Sequence, residues 1–226
     1  MLGIIAEDAQ GVTLLYFRPL DSLAAHAVLG TEGAGRPFGS PDGMSVAFVA
    51  EGKLKRVEVA GGSPLALCDV ENLRGGTRSE EGVILFSPKS SGLQRVLATG
   101  GSVSAVTQLN QGTGESAYYY PQFLPGGKEF LYLNRNRDGT QSWISVGSLE
   151  GKPSVRLVQS TYRAIYSAAT GHLLFIQKDG TLMAQRVDLG PYRLAGTPVA
   201  VAEQVGLSPS NAFADFSISY GSSCPF

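Results

Sequence analysis

Two cysteines, two histidines and one tryptophan are all that this 226-residue chain carries of three residue types that often build metal centres, acid–base pairs and stacking surfaces. Cys68 and Cys224 stand far apart, in no metal-ligand spacing, and a disulfide framework needs more than two. Cys68 closes the apolar run Leu65-Ala66-Leu67-Cys68 and reads as a small buried hydrophobe; Cys224 reads as an exposed tail residue. Charge of either sign is in short supply. With 18 Lys and Arg against 19 Asp and Glu, a net charge of −1 removes any electrostatic case for nucleic acid or an anionic membrane surface. No stretch approaches the ~20 apolar residues of a membrane span. The amino terminus is too short, and lacks the basic flank, to be a signal peptide. The expectation is a soluble protein that stays where it is made, a monomer or a strand-swapped dimer.

Nucleophile machinery is missing as well. No serine has glycine at both flanking second positions, and there is no Ser-x-x-Lys, His-Glu-x-x-His, Cys-x-x-Cys or phosphate loop. Gly112-Thr113-Gly114 is too short for a dinucleotide fingerprint. His172 opens the run Leu173-Leu174-Phe175 and reads as structural; His26, near an outer strand, reads as solvated.

What the chain does have is turns: 29 glycines and 12 prolines. Gly-centred turns recur at Gly43, Gly82, Gly127, Gly171 and Gly221, roughly forty to fifty residues apart, a spacing typical of propeller blades. The clearest repeat opens on Arg36-Pro37-Phe38 and turns at Ser40-Pro41-Asp42-Gly43. Val46 to Ala50, the alternating Lys53 to Val59 and Ser63 to Cys68 then complete four short strands. Three more copies follow: Val83–Phe86 with Gln94–Leu97 and Val103–Thr107; Glu129–Leu133 with Trp143–Val146 and Val155–Val158; His172–Ile176 with Thr181–Val187 and Val199–Ala202. At the start, Gly3–Glu7, Thr13–Pro19 and His26–Leu29 read as the second to fourth strands of a blade lacking its first. Phe213–Ser219 reads as a first strand with nothing after it. Joined, they make a fifth blade and bury two sets of unpaired backbone groups. The expectation is therefore one all-β domain over residues 1–226, a β-propeller of about five four-stranded blades closed by pairing of its terminal strands. The alternative is an open fragment of a larger propeller.

The strings Phe38-Gly-Ser-Pro-Asp-Gly, Gly180-Thr-Leu-Met-Ala-Gln185 and Pro198-Val-Ala-Val-Ala-Glu-Gln-Val205 resemble the TolB-like propeller repeats of bacteria, especially those attached to bacterial serine/threonine kinases. The resemblance spans nearly the whole chain and implies a sensor-like module that binds a ligand or protein. It carries over no catalytic residue. Leu124-Pro-Gly-Gly127, Ser79-Glu-Glu-Gly82 and Ala169-Thr-Gly171 depart from the acidic turn.

In a propeller the first strands line a central channel. The residues expected at its mouth as ligand contacts are Arg36, Arg74, Tyr119, Arg163 and Asp215. Those expected as oxygen ligands for a cation such as Ca²⁺ are Glu32, Asn72, Glu115 and Asn211. In the run Tyr118-Tyr119-Tyr120, alternation sends Tyr119 to the opposite face from its neighbours. Two function classes are compatible with this pattern: a non-catalytic module binding a protein or small molecule, and a small lactone or ester hydrolase with a divalent ion in its channel.

Overall fold

The computed structural model describes residues 2–137 and 141–218. Among them every regular element is a β-strand except one 3₁₀ turn at Gln111–Thr113, and every strand pairing is antiparallel. The chain divides into two compact units, one ending at Gln108 and one beginning at Leu109.

The first unit holds three sheets. Strands β1 (Leu2–Glu7), β2 (Thr13–Arg18) and β3 (His26–Ala27) form a three-stranded sheet in that order. β4 (Gly35–Gly39), β5 (Ser45–Ala50), β6 (Lys53–Glu58) and β7 (Leu65–Asp69) form the second. β8 (Gly76–Arg78), β9 (Val83–Phe86), β10 (Gln94–Leu97) and β11 (Ser104–Ala105) form the third. Alternation along each strand sends one set of apolar side chains to each neighbouring sheet. Leu15 and Phe17 of the first sheet pack with Phe48 and Val57 of the second. Leu54 and Leu67, on the second sheet's other face, pack with Ile84, Phe86 and Val96 of the third. Phe48, Leu54 and Phe86 are fully buried, each stabilising the stack by ~1.5–3 kcal/mol.

The second unit repeats the plan. β12 (Glu115–Phe123), β13 (Glu129–Asn136), β14 (Trp143–Ser148) and β15 (Val155–Gln159) form one four-stranded sheet. β16 (Ile165–Ser167), β17 (His172–Ile176), β18 (Leu182–Asp188) and β19 (Arg193–Ala202) form the next. Leu131, Leu133 and Ile144 of the former meet Tyr166, Leu173 and Phe175 of the latter. A two-stranded sheet, β20 (Leu207–Ser208) with β21 (Phe213–Ala214), adds Leu207 and Ala214 to a small core around Ile176 and Leu182.

The recurrent turns explain the repeat. In the second sheet Gly43 is left-handed (φ 68) and donates to Ser40 O at 3.0 Å, while Asp42 Oδ1 accepts from Met44 N and Ser40 Oγ accepts from Ser45 N. In Leu124-Pro-Gly-Gly127, which lacks those side chains, the backbone bonds persist: Leu124 N to Glu129 O at 2.9 Å and Gly127 N to Leu124 O at 3.1 Å. Gly221 lies outside the described residues, as does Cys224. Cys68 is half-buried against the second core, and burial pushes its thiol up.

The expected closing strand needs correction. Of the segment 213–219, Phe213–Ala214 alone is strand; it pairs with Leu207–Ser208, and Ser219 lies outside the described residues. Arg163 engages the segment instead. Its backbone N–H donates to Ala212 O at 3.0 Å, its Nε to Ala214 O at 2.9 Å and its Nη2 to Phe216 O. Three alternate carbonyls that a neighbouring strand would use are thus already bonded. Four sheets have four strands, the first has three and the last two; none closes on itself among the described residues.

Candidate functional site

Each unit has one candidate position, where a first strand bends. In β12 the register slips between Tyr119 and Gln122, and Tyr120 sits at φ 52; in β4 it slips between Gly35 and Phe38, and Arg36 sits at φ 53. A left-handed conformation disfavours any residue with a Cβ, by ~1–2 kcal/mol. Both residues precede a proline, Pro37 or Pro121, and both stand seven positions ahead of the turn glycine, Gly43 or Gly127. Gly75 (φ 119) holds the same position before Gly82. These are bulges, which bend a strand and re-aim its side chains.

The Tyr120 bulge rearranges the three tyrosines. Tyr119, expected at the ligand, is instead a core ring, 8% exposed, with the Arg135 guanidinium 5.5 Å from its centroid. Tyr120 does not alternate away from it: the two rings meet edge to face at 6.0 Å. The Tyr120 hydroxyl donates to Asn211 O at 2.7 Å, and its ring lies 5.8 Å from Phe213. Tyr118 faces the other way, against Tyr132 at 4.8 Å, and donates to Glu115.

Arg163 is the hub of the segment after Asn211. Besides its three carbonyl partners, its guanidinium lies 4.1 Å from the Phe213 centroid and 5.1 Å from that of Phe216. Burial pulls its pKa below the ordinary arginine value, opposed by its electrostatic interactions with Tyr120 and Asp215. Asp215 itself is exposed, its N–H bonded to Gly206 O at 2.8 Å. Arg163 therefore orders this segment rather than standing open to a ligand.

The expected cation ligands fare unevenly. Glu115, with its side chain 9% exposed, accepts from Tyr118 Oη, from Asn110 N at 2.9 Å and from Asn134 Nδ2 at 2.7 Å, with Arg156 Nη2 4.0 Å away. Burial pushes its carboxyl up, but these donors and Arg156 together hold it below its ordinary value. Burial, then the bond to Glu115, pushes the Tyr118 hydroxyl far up. Asn211 gives its carbonyl to Tyr120 and its Oδ1 to Phe213 N at 3.1 Å. Oxygens of both residues thus already accept hydrogen bonds from the protein. In the first unit Glu32 is exposed and accepts from Gly30 N at 3.3 Å. Asn72 is exposed and left-handed (φ 49), and Arg74 donates its N–H to Ser87 O at 2.8 Å. No group of three or more acidic, histidine or cysteine side chains suited to a metal occurs among the described residues. No helix there is long and apolar enough to cross a membrane.

The bulge residue not singled out from sequence was Tyr120. Its signal was the repeat register, since Tyr120-Pro121 stands where Arg36-Pro37 stands in the best motif copy.

No protein-family model and no curated protein sequence matches the chain. Solved structures do. A TolB-type protein from Agrobacterium tumefaciens is 22% identical with a TM-score of 0.61, covering 83% of this chain and 70% of its own. A calcium-binding regucalcin from the same organism is 15% identical with a TM-score of 0.56, covering 74% of this chain; this chain spans 58% of it. A gluconolactonase from Xanthomonas campestris is 10% identical with a TM-score of 0.59, over 88% and 70%. At these identities the likeness shows the fold, which is that of propeller-type proteins, and nothing of the activity.

Proposed function

We propose that this chain is a non-catalytic, sensor-like propeller module that binds a protein segment or small molecule at a first-strand bulge, with a separate candidate position in each unit: Arg36 in the first, Tyr120 with Asp215 in the second. The observation that carries this reading is the left-handed backbone at Arg36 and Tyr120 (φ 53 and 52). Strain of this kind, repeated at one repeat position on two bulky residues, is characteristic of places where a side chain must be aimed. A second support is the engagement of Glu115 and Asn211 by protein donors, which suits a structural role better than cation binding.

The test is a thermal-shift screen of the full chain against sugar lactones, aryl esters, amino acids and short peptides, with turnover followed in parallel. The reading expects a compound that raises Tm, whose effect falls at least tenfold in apparent affinity for Arg36→Ala or Tyr120→Ala, and which is recovered unchanged. Hydrolysis of a lactone or ester that stops on adding chelator would replace this reading with the hydrolase.

A further inference from the structure

In the second unit a run of rings and cations joins β12 and β13 to the segment after Asn211. The Arg135 guanidinium lies 5.5 Å from the centroid of Tyr119, and Tyr119 meets Tyr120 at 6.0 Å. Tyr120 meets Phe213 at 5.8 Å, and the Arg163 guanidinium lies 4.1 Å from Phe213. One cation thus stands toward each end of a single chain of rings.

The two cations are not equally served. Arg163 gives its Nε and Nη2 to the carbonyls of Ala214 and Phe216, and the charge of Asp215 acts on it. Arg135 has the Tyr119 ring, and among the described residues no carboxylate pairs with it. It is half-buried on β13, and alternation puts it on the same face as Leu131 and Leu133, which belong to the core. Glu115 does not serve it: that carboxylate accepts from Asn134, which alternates to the other face, and has Arg156 beside it. A half-buried charge without a counter-charge is uncommon, since burial of a charge is ordinarily offset by pairing. Packing over a ring also leaves the N–H groups at the guanidinium's edge for another partner.

Taking Tyr120 as a binding residue, as the proposed function does, we propose that Arg135 is the anion-recognising residue of that position and that its ligand is an organic carboxylate with an apolar part resting against Tyr120. The guanidinium fork matches the two oxygens of a carboxylate. The balance of charge agrees: Asp215 acts on Arg163, so the excess positive charge of this run stands at Arg135. One guanidinium balances the single charge of a carboxylate, whereas a phosphate dianion would leave charge uncompensated.

The probes are 3-phenylpropionate, for a small organic acid, and the peptide acetyl-Gly-Gly-Phe, for the carboxyl end of a protein, each beside its own amide. They are titrated calorimetrically into the full chain near neutral pH. Saturable binding of at least one acid is expected, at least tenfold tighter than its amide and weakening as salt is raised. The acid that binds identifies the source of the carboxylate. Arg135→Gln should bring the acid down to the level of the amide, and Tyr120→Ala should weaken acid and amide alike. Arg135→Lys keeps the charge without the fork, so the preference for the acid should fall several-fold without vanishing. If Arg135→Gln melts below the titration temperature, Arg135→Lys decides: an undiminished preference there counts against Arg135. Equal binding of acid and amide, or a preference that survives Arg135→Gln, overturns the carboxylate assignment and leaves Tyr120 as a binding residue. Saturable binding of neither acid, or binding untouched by Tyr120→Ala, overturns it together with the second unit's position, and Arg36 then remains as the position to test.

Discussion

Arg163 lies with its guanidinium carbon 4.1 Å from the centroid of the Phe213 ring while the same side chain donates to the carbonyls that flank Asp215. One cation thus contacts both a ring and the backbone of the segment that follows β21, a strand of two residues. Lysine keeps the charge but not the planar fork. Arg163→Lys is expected to destabilise the chain by about 2 kcal/mol, within the range for bonds to charged groups. Hydrogen exchange should show the loss concentrated in residues 212–216. Unchanged protection there would mean that β20 and the Ile176 core hold the segment without Arg163.

Glu115 predicts a pH dependence. Its folded value lies below the ordinary one, so the carboxylate contributes stability that is present above its unfolded value and lost as pH falls through the folded one. Urea midpoints should hold from neutrality down to about pH 5 and decline below ~4.3, the ordinary glutamate value. Glu115→Gln replaces one acceptor oxygen by a donor facing donors, at a cost of about 1–3 kcal/mol at pH 7. In that variant this part of the acid decline should vanish. An acid decline identical in both proteins would assign it to other carboxylates.

Much of the fold was legible because its signals are local. The strands Val83–Phe86, Gln94–Leu97 and His172–Ile176 stand where alternation and flanking turns put them. Within β12 only the alternation at Tyr118-Tyr119-Tyr120 was expected, and the bulge at Tyr120 breaks the period of two on which that expectation depends. β16 is three residues long, too short for any period. The closing strand misled for a different reason. Phe213, Phe216 and Ile218 alternate in part like a strand, but the segment pairs with β20 and is held by Arg163, fifty or so residues earlier, and composition does not register those contacts. The site divides in the same way. Repeat register points to Arg36 and Tyr120, whereas nothing in the chain order announces that Tyr118, Asn110 and Asn134 all spend a donor on Glu115.

Two glycines of the first unit should respond in opposite senses to alanine. A Cβ on Gly92 would lie 2.1 Å from the carbonyl oxygen of Thr107, a backbone atom that cannot swing aside. Gly92→Ala is expected to cost about 1–3 kcal/mol through overpacking. Gly39 has open space around its Cβ position and no left-handed φ, so Gly39→Ala should stabilise by about 0.4–1 kcal/mol through the unfolded chain. Thermal melts of the two variants beside the parent decide it; equal shifts would refute the contact geometry at Gly92.

The bulges set stability against binding. Arg36 is exposed and left-handed, so glycine there removes the Cβ conflict and gives up no buried contact. Arg36→Gly is expected to raise stability by up to about 1 kcal/mol, the strain of one left-handed residue. Tyr120 shares the backbone but not the surroundings: its ring packs on Tyr119 and Phe213 and its hydroxyl bonds Asn211 O. Tyr120→Gly should therefore lower stability despite relieving the same strain, and Tyr120→Phe, which removes the hydroxyl alone, should cost about 1 kcal/mol. If the bulges serve binding, Arg36→Gly yields a more stable protein that binds its ligand at least tenfold more weakly, the trade expected where strain is kept for function. Urea melts and ligand titrations on the same preparations separate the two effects. An Arg36→Gly protein that is no more stable than the parent would show that the left-handed backbone there carries no strain, and the case for Arg36 as an aimed side chain would fall with it.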